Sequence, residues 1–532
     1  MVTRRLFPVL AAVVLLAASA CSGNSVPGGN QPAPASGSQP AAAAKPAAAQ
    51  PTAATGATQA IKTLTVAQSA DASTLDPQKQ GKMPDMNILI NMFDTLVTLD
   101  AKNQLAPGLA TEWKVVDPTT WEFKLRQGVK FHDGEPFNAE AAKFSIERLI
   151  NPATKSPIVE LSYVKEVKVV DEYTIQLLLK APDPIIPNKL TLFGGVMVPP
   201  QYIKEKGDEY FSQHPVGTGP FKFVSWQKDN QVVMEANPDY WGGKPKVDRL
   251  VFRAIPNAAD TLAALRTGEV DIAANITADA ADQLQGVSDR KVVSGPGIRT
   301  YYLEIDTRQA GPLADKRVRQ AMNYAVDVDT LVKTVLGGHA RRVATLVPQE
   351  NFGYNSQVQP YTYDPAKAKQ LLADAGFPNG FETTLDAQSI DKGVAEAISG
   401  QLAKVGIQAK VNLMESGTFT TKLLAGELGP LYYIGNTAWT LDAESNFQSY
   451  LKSDRRYNRW KNAQADQLVT TEETSVRPEE RKAAFDQLQT LLKDEAPFLY
   501  LFQMDNIYGM TPRVTWTPNP IGLLKMKDAA VN

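Results

Sequence analysis

His132-Asp133, the run Gly217-Thr218-Gly219-Pro220 and the acid pair Glu479-Glu480 are places where residue types alone could do chemistry. A histidine beside a carboxylate suggests a general base, but Gly134 and Pro136 follow at once, so the pair reads as a turn that Asp133 caps. The glycine run reads as a tight turn into the alternating residues Phe221 to Val224, with backbone able to line a cleft. Glu479 and Glu480 fall in the first turn of a helix opened by Pro478, where the macrodipole accounts for them. There is no G-x-x-x-x-G-K-S/T loop and no G-x-S-x-G elbow, so neither a P-loop nucleotidase nor a typical serine hydrolase is written here. His132, His214 and His339 are far apart and Cys21 is the only thiol, which excludes an intrachain disulfide and argues against a zinc fold.

Cys21 itself carries covalent chemistry. Arg4 and Arg5 form a positive start, Leu6 to Ala18 an apolar run of thirteen residues, and Ala18-Ser19-Ala20 supply the small residues a signal peptidase accepts just before the thiol. The apolar run is too short to span a bilayer. The segment resembles a bacterial lipoprotein lipobox, which implies residues 1–20 as signal peptide and acyl chains on the Cys21 sulfur and new amino terminus. Cleavage there leaves 53 basic against 57 acidic residues, a formal charge of −4. From Ser22 to Ala60 the chain is Ala, Pro, Gln, Ser, Gly and Thr with one charge, Lys45, and almost nothing to fill a core. Such a tether reaches roughly 35 Å as a flexible coil. After Cys21 no further apolar run is long enough to cross a membrane, so the chain is not itself a permease.

The elements that must position any site begin at Ile61. The 532 residues leave room for two to four domains, and 43% apolar with 21% charged residues is the composition of a folded globular body. The near-balanced charge gives no field for a phosphate backbone, so nucleic acid is not an expected partner. Trp121, Phe123 and Leu125 alternate with polar residues, as do Tyr173, Ile175, Leu177 and Leu179, and both predict strands. Asp364-Pro365 to Gly376 predicts a capped helix, Val318 to Val326 another that runs on until Gly337-Gly338, and Pro478 opens one carrying Phe485, Leu488 and Leu492. Strand and helix patterns interleave throughout, which predicts an α/β architecture, and no internal repeat of 20 to 50 residues is present.

Several long stretches carry more than periodicity. Leu105-Ala-Pro-Gly-Leu-Ala-Thr-Glu-Trp113 leads through Trp121-Glu-Phe-Lys-Leu-Arg-Gln-Gly-Val-Lys-Phe-His-Asp-Gly134-Glu-Pro-Phe137. Thr74-Leu-Asp-Pro77, Val216-Gly-Thr-Gly-Pro-Phe221, Asn237-Pro-Asp-Tyr-Trp241, Leu265-Arg-Thr-Gly-Glu-Val-Asp271, Val318-Arg-Gln-Ala321 and Tyr363 to Gly376 accompany it in order. From about Leu64 to Gly509 the chain resembles family 5 of the bacterial extracellular solute-binding proteins, the peptide and nickel class serving ABC importers. The resemblance implies a two-lobed periplasmic-binding-protein fold of type II with an extra domain and a ligand cleft between the lobes. Lobe I is expected from 61–97, 215–296 and 502–532, the extra domain from 98–214, and lobe II from 297–501.

The same resemblance points to a site. Peptide-binding members carry a W-x-x-D whose carboxylate pairs with the ligand's ammonium, and Trp439-Thr-Leu-Asp442 matches that spacing. A desolvated carboxylate holds an amine by a charge-assisted hydrogen bond and an indole face stacks on the neighbouring group. Asn436, Tyr432 and Tyr433 lie beside this segment, and the loop at Ser69 and Asp71 follows the first strand. Arg341 or Arg342 is the expected partner of a ligand carboxylate, though the pair could equally be a solvated face. Asp442→Ala is expected to weaken amine ligands and leave the fold intact. No metal and no cofactor is implied. The expected function is a monomeric, exported receptor, lipid-anchored at the outer face of the cytoplasmic membrane on the periplasmic side or the cell surface. It captures di- or oligopeptides, or another amine-bearing solute, for a separate ABC permease and ATPase. Alternatives are an oligosaccharide, metal chelate or modified amino compound as ligand; from other classes, a secreted hydrolase using a carboxylate pair or a sensory envelope protein.

Overall fold

The computed structural model describes residues 61–532 apart from Ser288 and Ser449, so the expectations for the signal, Cys21 and the tether lie outside the described residues. The spine of the molecule is an eleven-stranded sheet. Its strands are β1 (Thr63–Gln68), β2 (Phe221–Gln227), β3 (Gln231–Ala236), β4 (Arg249–Ala254), β5 (Ile272–Ala273), β6 (Lys291–Ile305), β7 (Ala340–Arg342), β8 (Phe381–Gln388), β9 (Ile407–Met414), β10 (Leu431–Thr437) and β11 (Phe498–Met510). They lie in the order β9-β8-β10-β6-β11-β5-β1-β4-β3-β2, with β7 also paired to β11. β6 and β11 are long enough to belong to both halves. β11 is apolar and buried except at Met504-Asp505-Asn506, where it is half-buried, and the β6–β11 register breaks between Pro296 and Thr300 opposite that polar interruption. The two strands therefore cross from one half to the other at this point.

Strand directions follow from the pairings. β1 is parallel to β4 and β5, and β5, like β6, is antiparallel to β11, so β1, β4, β5 and β6 all run toward the crossing. β8 is parallel to β9 and β10, and β10 is antiparallel to β6, so these three run back toward it from the other side. The carboxyl ends of the parallel strands of both halves thus face each other across the crossing. Ligands of open α/β sheets bind outside such ends.

Helices cover the second half because parallel strands need long crossovers. These are α1 (Lys316–Ala325), α2 (Val328–Val335), α3 (Pro365–Asp374), α4 (Lys392–Ala403), α5 (Ala463–Thr474) and α6 (Pro478–Glu495). The single helix expected from Val318 onward is two, because the Asp327 side chain accepts from the Thr330 amide and starts a new helix there. α3 begins as expected, with Asp364 accepting from the Lys367 amide. One core of this half lies between the sheet and α1 to α4, around Val318, Met322, Leu372, Ile398 and Leu431. The other lies against α5 and α6, around Tyr302, Tyr432, Phe485 and Leu488.

A four-stranded antiparallel sheet, Ala110–Asp117, Thr120–Leu125, Thr174–Leu179 and Val164–Asp171 in spatial order, packs with the helix Ala139–Ile150 into a core of its own. It uses the alternation of Trp121, Phe123 and Leu125 as expected. Ile203 and Phe211 fall within the range 98–214 but pack into the core of the first half with Leu64, Phe93 and Phe252, Phe211 meeting Phe93 edge to face at 6.1 Å. The tail from Val514 to Val531 also enters that core.

A candidate ligand cleft at the strand crossing

Trp439 and Asp442 follow the carboxyl end of β10, on the rim of the crossing. Trp439 is half-buried and meets Phe193, from the connection beyond the small sheet, edge to face at 6.5 Å. Around them Met86, Leu192, Ile298, Leu441, Ile521 and Leu523 form an apolar cluster drawn from both halves. Asn188 reaches across as well, its amide donating to the Thr440 carbonyl at 2.9 Å. Beside this contact lies a cavity of about 490 Å³ whose walls include Trp113, Trp121 and Asn188 on one side and Glu350, Asn351 and Asp442 on the other.

The Asp442 carboxylate is not free. Arg481 of α6 donates from two nitrogens to its two oxygens, at 2.7 and 2.8 Å, and the Glu444 amide donates to Oδ1 at 3.0 Å. Asp442 is only 1% exposed, and its backbone is bridged to Phe352. The expected open carboxylate is therefore an internal counter-ion that also caps the turn into the short helix Glu444–Phe447. Two further acids crowd the pair. Burial pushes Glu444 up to about 7, against the pull of Lys189, with Asp442 and Asp183 adding to the rise. Burial also raises Glu472, whose Oε2 is 3.7 Å from Arg481, well above the carboxylate range. Burial works against the Lys189 ammonium, which lies 2.6 Å from Asp183, but Asp183 and Glu444 outweigh it and hold it above the usual lysine range. Four carboxyl groups here share two cations, and because burial keeps Glu472 protonated and holds Glu444 near its midpoint at neutral pH, the group stays close to charge balance, with Glu444 able to ionise further beside an added positive charge.

Comparison with known proteins gives the family. The model of the bacterial extracellular solute-binding proteins, family 5, matches residues 104–458. A protein of Pectobacterium atrosepticum named glutathione-binding protein GsiB is 30% identical over 458 residues, spanning 83% of this chain and 88% of its own. The chain belongs to family 5 of the bacterial extracellular solute-binding proteins. Among solved structures, HbpA2 from Haemophilus parasuis superposes with a TM-score of 0.81 at 25% identity, over 88% of this chain and all of its own. DppA from Helicobacter pylori, an ABC transporter-associated periplasmic binding protein in complex with the peptide STSA, gives 0.72 at 28% identity over 88% and 98%. The fold is the type II periplasmic-binding-protein fold, with two lobes meeting at the strand crossing. This family-5 protein is a solute-binding protein, not an enzyme.

The other expected site residues divide sharply. Tyr432 and Tyr433 are 0% and 2% exposed and point into the two cores on either face of β10, so they fill the second lobe and cannot touch a ligand. Arg341 and Arg342 are engaged: Arg341 donates to Gln503 at 3.0 Å and pairs with Glu350, while Arg342 pairs with Asp329 at 3.2 Å. Each guanidinium is thus already paired with an acid of its own lobe. Asn436 is half-buried and ties the end of β10 to the Asn446 carbonyl at 3.2 Å. Ser69 is exposed beyond the carboxyl end of β1. Asp71 instead accepts from the Trp226 indole at 2.9 Å and the Asp229 amide at 2.8 Å, pinning its loop to the β2–β3 hairpin. His132 is held neutral, its pKa lowered by burial to about 4; its ring lies 3.0 Å from the Gly219 carbonyl and accepts from the Gly217 amide. It sits in the turn its neighbours implied, which Asp133 caps through the Glu135 amide, and it also braces the Gly217–Pro220 turn, which the sequence did not indicate.

Two residues at the crossing escaped the sequence reading. Arg481 stands on the apolar stripe of α6, three turns of spacing with Phe485, Leu488 and Leu492, and a cation on such a stripe requires a buried acid. Arg299 opens the second-lobe part of β6 and is exposed at the crossing. The signal was a lone cation two residues ahead of the apolar run Tyr301 to Leu303.

Proposed function

We propose that this family-5 protein is the substrate-binding component of an ABC importer and that it captures short peptides in the cleft between its lobes. A separate permease and ATPase then carry the ligand inward. The observation that supports this most is the Trp439–Asp442 segment on the interlobe rim of a chain that matches a peptide-bound DppA over 88% of its length. The GsiB name, glutathione-binding, points to the same ligand class. Trp439 supplies the apolar wall, and Glu444, which ionises further beside an added positive charge, favours the ligand's ammonium. Asp442 itself stays paired with Arg481 and steadies the rim from behind, so the ammonium is drawn by the field of this group and not by contact with the buried carboxylate.

Lobe I comprises 61–97, 215–296 and 502–532, the extra domain 98–214 and lobe II 297–501. The chain acts as a monomer without cofactor. Cys21 carries the lipid, and residues 22–60 hold the binding body off the outer face of the cytoplasmic membrane. Ligand favours closure only by what it gains from both lobes together. Native mass spectrometry of the gently purified intact protein, with fragmentation of the released small molecule, tests the reading. A short peptide or an amine-bearing analogue is the expected cargo. A sugar or a metal chelate would overturn the peptide assignment while leaving the receptor class in place.

A further inference from the structure

Resting on the reading that ligand enters the interlobe cleft, we infer that Arg299 is the anchor for an anionic group of the ligand, a carboxylate, and takes the role expected of Arg341 or Arg342, which are spent on acids of their own lobe. The guanidinium lies 4.9 Å from the centre of the Tyr301 ring. Tyr301 in turn stacks on Tyr433 at 5.3 Å and 16° and leans on Phe502 at 5.5 Å. A planar cation resting on a rigid aromatic stack has lost rotamer freedom before any ligand arrives, so less is lost when its fork engages two oxygens. The seat is built by the neighbouring strand. Tyr301 is paired across to Gly435, and a Cβ at 435 would fall 2.6 Å from Arg299 Nε and 2.8 Å from the Tyr301 ring. Only glycine there leaves the guanidinium its place.

The charge of Arg299 is unspent. Among the described residues it forms no ion pair and no side-chain hydrogen bond, whereas Arg341, Arg342, Arg459 and Arg481 are each committed to an acid. The acid nearest in effect is Asp391, at the start of α4; burial raises its carboxyl, with Arg299 pulling the other way. Arg299 is exposed, and it sits where the carboxyl ends of β8 and β10 reach the crossing. An aromatic-backed, unpaired fork in that position fits a carboxylate bidentately.

The test uses the intact protein purified in detergent and matched ligand pairs, each a dipeptide or an N-acylated amino acid offered as free acid and as carboxamide, with binding followed by calorimetry. Free acids are expected to bind at least about tenfold more tightly than their carboxamides, because a charge-assisted fork is replaced by a neutral contact. In Arg299→Gln that gap collapses, and Arg299→Lys restores part of it. Gly435→Ala, which crowds the guanidinium without removing its charge, reduces the gap too. A gap that survives Arg299→Gln, or no acid binding more tightly than its carboxamide, overturns the inference. If acylated acids bind through Arg299 while free-amine peptides do not, the peptide reading falls and the anchor stands. If peptides bind without regard to their carboxylate, the anchor falls and the peptide reading stands.

Discussion

The pairing of Asp442 with Arg481 changes what a single substitution does. Were Asp442 an open acceptor, Asp442→Ala would touch binding alone. With Arg481 only 5% exposed and both of its terminal nitrogens on that carboxylate, the same change strands a guanidinium in the interior. Breaking such a buried pair costs about 3–5 kcal/mol, whereas replacing both partners by apolar groups is often near neutral. Asp442→Ala is therefore expected to lower the urea midpoint strongly, and adding Arg481→Met is expected to recover much of the loss. Equal midpoints for wild type and Asp442→Ala would mean the pair carries no structural weight. The W-x-x-D spacing was legible because it is local; its partner, 39 residues away on another helix, was not.

At the scale of elements, the glycine turn ahead of β2 shows why local pattern succeeded where pairing failed. Gly217 to Pro220 was readable as a turn, and the structure adds the surface it presses against. A Cβ on Gly219 would lie 2.5 Å from the carbonyl carbon of Met92, and its amide donates to the Met92 oxygen at 2.9 Å. Thr218 meanwhile donates to Asp94 at 2.8 Å, an acid that also receives Tyr240 and Trp241. The obstacle is backbone, which cannot rotate away as a side chain can. Gly219→Ala is expected to cost about 1–3 kcal/mol by overpacking, read as a lower thermal midpoint with native spectra retained. An unchanged midpoint would show the turn standing clear of Met92. Strands at 120–125 and 174–179 and the capped α3 were likewise written in period and caps. The break between α1 and α2 hid in one capping aspartate, and the return of Ile203 and Phe211 to the first-lobe core depends on long-range packing that no local period encodes.

For the whole molecule, the sheet directions set the cleft at the strand crossing, and the same crossing brings a titratable group to the meeting of lobe and extra domain. Glu444, on the second lobe, lies within the field of Lys189 from the opposite side, next to the Asn188–Thr440 contact. Its carboxyl titrates near 7 in the folded protein, raised first by burial, and near the ordinary glutamate value of about 4.3 once unfolded. Between those values the folded state keeps a proton that the unfolded state has released. Stability from this group is therefore fully present below about pH 4, falls as pH rises through the window up to 7, and is level beyond it. Replacing the acid with its neutral isostere removes that dependence, so Glu444→Gln should match wild type near pH 4 and exceed it at pH 8 by about 1–3 kcal/mol. The comparison matters more than either curve, since Glu472 and Glu304, both raised by burial, tilt wild type and variant alike. Unfolding midpoints taken in parallel from pH 4 to 8 settle it: a difference that grows with pH places an ionising carboxylate where the second lobe meets the extra domain, and one that stays flat or shrinks removes Glu444 from that role.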